Sequence, residues 1–216
     1  MAKNSSTPQF IVFEGLDGSG KSTLIKAVSS GLERRGKGFV LTREPGGTPL
    51  AEEIRRLILR TDSEVPVAET ELLLYAASRA QHVAQVIQPA LAKGEWVLCD
   101  RFTASSVAFQ CFARGLSRSH VDWLNSFATR GVQPALNVLL DLDVTESHRR
   151  QDGRLGQDRD RMERESQEFH NAVRRGYLVQ AQERPKEWFV VDAALEPGRI
   201  GDLVLENLEA RGWLAS

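Results

Sequence analysis

Residues Gly15-Leu16-Asp17-Gly18-Ser19-Gly20-Lys21-Ser22 carry the spacing G-x-x-x-x-G-K-[ST]. That spacing suits the phosphate chain of a nucleoside triphosphate. Glycines lack a Cβ, so the backbone can wrap closely round the phosphates. Successive N–H groups then point inward, and a following helix adds its partial positive N-terminus. Lys21 can reach the β- and γ-phosphates, and the Ser22 hydroxyl can ligate Mg²⁺. Gly15, Leu16, Asp17, Gly18, Ser19, Gly20, Lys21, Ser22 and Thr23 are therefore the candidate ATP-binding residues.

The motif needs a strand before it and a helix after it. Residues 9–14, Gln-Phe-Ile-Val-Phe-Glu, read as a buried strand, and a helical pattern runs from Lys21 to about residue 35, stopping at Gly36. Four more short apolar runs read as strands: 39–42, 96–100, 136–141 and 188–192. Helical patterns fall at 49–59, 68–93 with Pro89 as a possible kink, 103–111, 119–129 capped by Ser119, from 145, 166–184 and 197–211. Ile54, Leu57 and Ile58 mark one face of the second helix. Strands alternating with helices predict a five-stranded parallel sheet covered on both faces, a three-layer α/β/α fold. Polar residues gather at the strand exits: the P-loop, Arg43-Glu44, Asp100-Arg101 and Asp141. Ligands of open parallel sheets bind at those carboxyl ends.

The chain has 216 residues, which suits one domain spanning 9–216 behind a frayed polar stretch at 1–8. A formal net charge of −1 argues against a general nucleic-acid or membrane-surface binder. Two cysteines, Cys99 and Cys111, make no disulfide framework and fit a reducing cytoplasm. No apolar run reaches membrane length. Arginine dominates the cations, which suits phosphate acceptors. The histidines, His82, His120, His148 and His170, read as surface or helix-packing residues.

No lysine follows an asparagine, so the N-K-x-D motif of GTPase switches is absent, and no H-R-D marks a protein kinase. A small kinase with an anionic second substrate remains. Arg43-Glu44-Pro45-Gly46-Gly47-Thr48, Tyr75-Ala76-Ala77-Ser78-Arg79-Ala80-Gln81-His82, Asp100-Arg101-Phe102 and Asp160-Arg161-Met162-Glu163 accompany the P-loop. Together they resemble the bacterial thymidylate kinases over residues 9–192. That resemblance implies a P-loop nucleoside monophosphate kinase fold, transfer of the γ-phosphoryl of ATP to dTMP with Mg²⁺, and a homodimer formed through helices on one face of the sheet. The alternatives are a related deoxynucleotide or deoxynucleoside kinase, and a P-loop regulator that binds ATP without transfer.

The resemblance also assigns roles. Asp17 binds the acceptor's 3′-hydroxyl or orients a phosphate-bound arginine, and Arg101 grips the dTMP phosphate, with Asp100 acting through Mg²⁺. Tyr75, where Phe is usual, stacks on thymine, and Arg79 reads its carbonyl. Arg55 is the candidate for O4, with Arg56 left on the surface. Gln110 bonds the base edge beside Ser106. Phe109, where Tyr is usual, excludes a 2′-hydroxyl. Arg43, Glu44 and Pro45 complete the dTMP set, with a cis bond expected before Pro45. The arginines of 149–165, broken by Gly153 and Gly156, suggest a mobile lid. Arg154 and Arg161 lead as catalytic cations with Lys21, Asp17 and Arg101; Arg150 and Arg159 stand behind them.

Overall fold

A computed structural model describes residues 9–62, 64–153 and 159–214. Five parallel strands form one sheet in the order β2-β3-β1-β4-β5: β1 Phe10–Gly15, β2 Phe39–Arg43, β3 Trp96–Asp100, β4 Leu136–Asp141 and β5 Trp188–Asp192. Central β1 is wholly buried because helices cover both its faces. The expected three-layer α/β/α architecture is therefore present.

The helices are α1 Lys21–Arg34, α2 Pro49–Leu59, α3 Ala68–His82, α4 Gln88–Ala92, α5 Thr103–Ser106, α6 Arg118–Thr129, α7 Val144–Asp152, α8 Gln167–Glu183 and α9 Pro197–Ala210. One core packs α1 and α9 under the sheet through Leu24, Val28, Leu32, Val204 and Leu208. A second, on the other face, joins Leu16, Phe109, Phe169, Val173 and Tyr177 around α8.

Four local details differ from the sequence expectation. The 68–93 helix widens into a π turn at Val83–Ile87 between α3 and α4, where the Gln88 N–H bonds the Val83 carbonyl. Pro89 offers no N–H and crowds the preceding turn, so the regular ladder cannot pass it. The helix expected at 103–111 is α5 continued by a π segment, Val107–Ala113. Ser106 and Gln110 therefore do not follow a regular 3.6-residue spacing. Helix α6 begins one residue early, with Ser117 in the cap position and no side-chain cap; the Ser119 hydroxyl bonds Ser117 instead. Leu57, expected on the packed face of α2, is 45% exposed.

Candidate active site

In the loop after β1, Gly15 and Gly18 leave no room for a Cβ, and Gly20 takes a left-handed φ of 97°. Gly15 has φ 138°, and a Cβ there would lie 2.6 Å from the Leu140 carbonyl. Lys21 at the start of α1 is buried, its Nζ bonded to the Gly15 and Leu16 carbonyls at 3.1 and 3.0 Å. In that position the ammonium closes the loop. Burial and the nearby Arg101 push its pKa down, while Asp17, Asp100 and Glu14 oppose that. Helix α7 braces the loop from outside: Ser147 Oγ and Gln151 Nε2 both donate to the Asp17 carbonyl.

Arg101 follows β3 with φ 68°, a left-handed conformation uncommon outside glycine. Its N–H still bonds the Phe13 carbonyl at 2.9 Å, so the turn stays tied to β1. The side chain swings back over the P-loop. Nη2 donates to Asp17 Oδ1 at 2.8 Å, and that carboxylate stands 3.6 Å from Lys21 Nζ. Against the upward push of burial, Arg101 and Lys21 hold the Asp17 carboxyl well below the usual carboxylate range. Arg101 Nη1 donates to the Tyr177 hydroxyl at 3.0 Å, and its guanidinium lies 5.3 Å from the centre of the Phe109 ring.

Behind Arg101 lies Glu14, wholly buried. It accepts from Phe102 N, Ser105 Oγ and the Tyr177 hydroxyl at 3.0, 2.7 and 2.9 Å. Burial pushes its pKa up, against Arg101 and these bonds. Glu14, Ser105 and Tyr177 were missed from sequence. A carboxylate inside the apolar run Phe10-Ile11-Val12-Phe13-Glu14 was the available signal.

A pocket opens beside Arg101 and Asp17. Asp17, Arg55, Tyr75, Arg79, Arg101 and Gln110 are among its lining residues, with Glu44, Pro45, Ser106, Phe109, Asp160 and Met162. Elements distant in sequence thus bring together most of the candidate acceptor residues. The Glu44–Pro45 bond is cis. Arg79 is 2% exposed and makes four hydrogen bonds: to Glu44 at 2.7 Å, Ser106 at 2.9 Å, Asn125 at 2.6 Å and the Phe102 carbonyl at 3.0 Å. One of its five N–H groups is left for the pocket. Glu44 also meets His82 Nδ1 at 3.0 Å, while His82 Nε2 meets the Thr42 hydroxyl. His82 is thus a buried brace of this loop. A Cβ on Gly47 would lie 2.6 Å from its ring. Arg55 donates to the Pro45 carbonyl, and Arg56 is exposed as expected.

Arg43 takes a different place. It is half exposed, pairs with Glu52, and lines a separate recess with Ser22, Thr42 and Asp100. Asp100 Oδ1 is sealed from solvent without a hydrogen-bond partner, and Asp100 and Ser22 both line this recess. A carboxylate with an orphaned oxygen and a hydroxyl residue lining one recess are oxygen donors of the kind that suits a hard cation such as Mg²⁺.

The lid candidates separate. Arg154 and Gly156 lie outside the described residues. Arg161 does not reach toward Lys21. It is buried, with Nε on the Ile58 carbonyl at 2.8 Å and Nη2 on Glu71 at 2.7 Å. The reason is local: the C-terminal carbonyls of α2 and a buried carboxylate both attract a cation. Arg150 donates to Glu146 and the Ala193 carbonyl, beside a groove lined by Ser19, Gly20, Thr23 and Leu195. Arg159 pairs with Asp152.

A sequence profile described as thymidylate kinase matches residues 13–203. The thymidylate kinase of Bdellovibrio bacteriovorus is 53% identical over 206 residues, covering 94% of this chain and 96% of that protein. That of Pelotomaculum thermopropionicum is 50% identical over 186 residues, covering 86% of each chain, and that of Trichlorobacter lovleyi 44% over 206 residues, covering 94% and 97%. With this likeness along nearly its whole length, and with a phosphate loop and an arginine-gripped pocket meeting at Asp17, the chain belongs to the thymidylate kinase family.

Proposed function

We propose that the pocket under Arg101 holds dTMP, the P-loop holds ATP, and the two meet at Asp17. The reaction is that of the family: the γ-phosphoryl of ATP passes to dTMP, giving dTDP and ADP. One observation carries this placement of the substrates. Arg101 joins the pocket to the P-loop through Asp17, which lies 3.6 Å from Lys21 Nζ.

The acceptor's second phosphate pKa is about 6, so its oxygen is already anionic at neutral pH and needs no strong base. The residues' task is to hold two polyanions in line and offset their charge. Asp17 aims Arg101, and Arg101 grips the dTMP phosphate. Lys21 exchanges its two loop carbonyls for ATP's β- and γ-phosphates. Ser22 and Asp100 would hold Mg²⁺, which supplies positive charge between those phosphates when bound. Phe109 walls the sugar, Tyr75 lies along the base, and Arg154 brings a cation from the lid. The groove at Ser19, Thr23, Arg150 and Leu195 takes the rest of ATP.

A second copy of the chain would cover the exposed apolar side chains Leu50 and Leu57 on α2, Leu73 on α3, and the stacked Trp123 and Phe127 on α6. Helix α3 packs against both of its neighbours in this face. Sedimentation should give a dimer mass. No described helix is long and apolar enough to cross a membrane, and the unpaired Cys99 and Cys111 fit the cytoplasm.

ADP release measured with dTMP, dUMP, dCMP, dAMP and thymidine tests the assignment. Turnover should be highest with dTMP. Faster turnover with thymidine, or no acceptor-dependent ADP, would overturn it.

A further inference from the structure

One buried carboxylate, bonded to Gln110 of the pocket lining, has no part in the reading above. Glu71, on α3, is 0% exposed. Its Oε2 accepts from Arg161 Nη2 at 2.7 Å and from Arg114 Nη2 at 3.2 Å. Its Oε1 accepts from Gln110 Nε2 at 2.9 Å and from Arg114 Nε at 3.3 Å. Burial alone would raise the pKa of this carboxyl. The bonds from Arg114, Gln110 and Arg161 outweigh burial and hold it below the usual range.

That charge state has a geometric consequence. An ionised carboxylate has no proton to give, so only the NH₂ of Gln110 can face it. The Gln110 Oε1 must then point the other way. It is not among the buried atoms left without a partner, and Gln110 lines the pocket. Ser106 lines the same pocket; its hydroxyl accepts from Arg79, a bond that leaves the hydroxyl proton unused. The wall therefore presents one acceptor, Gln110 Oε1, beside donors from Ser106 and Arg79. A pyrimidine with N–H at position 3 and oxygen at position 4 matches that order. Cytosine carries the reverse order at the same two positions.

We propose that Glu71 is a specificity-determining positioning residue: it locks the Gln110 amide with its carbonyl toward the acceptor base, so the site takes thymine and turns away cytosine. The inference rests on the assignment of this pocket to dTMP. Glu71 does not touch the base; it acts by forbidding the flipped amide. Its arginine partners serve the same end by keeping it unprotonated.

The test compares kcat/KM for dTMP and dCMP in the wild-type chain and in Glu71→Gln. A glutamine at 71 can donate or accept, so either orientation of Gln110 becomes available. The dTMP/dCMP ratio should fall about tenfold or more, the scale of one hydrogen bond. The dCMP value should rise in absolute terms, which a merely damaged fold would not give. An unchanged ratio, or equal losses for both acceptors, overturns the role of Glu71. A wild-type chain with no dTMP turnover would instead defeat the pocket assignment itself.

A second measurement needs no variant. In ¹⁵N-glutamine-labelled wild-type protein, the Gln110 side-chain N–H should exchange slowly with solvent both before and after dTMP is added. Protection that appears only with dTMP would place the NH₂ against the base and overturn the proposal.

Discussion

The two ends of this site are built in opposite ways. The P-loop grips with backbone: ten consecutive residues from Glu14 to Thr23 contain its glycines, its lysine and its hydroxyls. The acceptor pocket grips with side chains drawn from residue 17 to residue 162, each held by others. Arg79 spends four bonds on Glu44, Ser106, Asn125 and Phe102, and Glu71 holds Gln110, Arg114 and Arg161. The difference follows from what each end must recognise. A phosphate chain presents only negative oxygens, so a row of N–H groups and one cation suffices. A base must be told from other bases, and that needs polar side chains fixed in orientation.

The sharpest way to break this comparison is to remove the loop's cation. Lys21→Met should lower kcat by about 10³-fold, on the scale of losing a preorganised charge at the transferring group. dTMP affinity by isothermal titration should change less than threefold. A large loss of dTMP binding would mean that the two ends are not separate.

The opposite signature belongs to Arg79. Arg79→Ala leaves Glu44 buried with one partner fewer, at a cost of about 3–5 kcal/mol. For a chain of this size, scanning calorimetry should read a Tm drop of roughly 6–20 °C. A drop of about 2 °C or less would show that the network does not hold the pocket in shape.

Arg161→Ala sharpens the boundary between pocket and lid. Bonded to Glu71, which holds Gln110, it should raise KM for dTMP about tenfold when lost and leave kcat within about threefold. A fall in kcat of about 10² with unchanged KM would return Arg161 to the transferring phosphoryl.

The smallest effect concerns pH. The folded-state pKa of Asp17 is depressed, so its contribution to stability is present above the unfolded value near 4. It is lost as pH falls below that value toward the depressed one. The Tm difference between wild type and Asp17→Asn should therefore be constant above about pH 5 and shrink by pH 3. A difference that grows on acidification would show that Asp17 is not held ionised by Arg101 and Lys21.

The same contrast explains what could be read from sequence. Strand patterns and the P-loop are local, so the five strands and the loop were legible within a residue or two. The contiguous motifs also placed Tyr75, Arg79, Arg101 and Gln110 around one pocket. Their bonding partners were not legible. Glu14, Glu71, Arg114, Asn125 and Tyr177 are ordinary helix or strand residues until the chain folds. Arg161 was read as a lid cation beside Arg154 for the same reason: nothing local announces a buried carboxylate ninety residues away. The π turns at Val83–Ile87 and Val107–Ala113 likewise answer to Pro89 and to packing, not to periodicity.

The most direct measurement is a crystal structure of the chain with dTMP and a non-hydrolysable ATP analogue. The dTMP phosphate should lie within hydrogen-bond distance of the Arg101 guanidinium, facing the analogue's γ-phosphate across Lys21, with the base against Tyr75 and Gln110. A dTMP phosphate bound away from Arg101, or a base lodged in the groove at Thr23 and Leu195, would contradict the account.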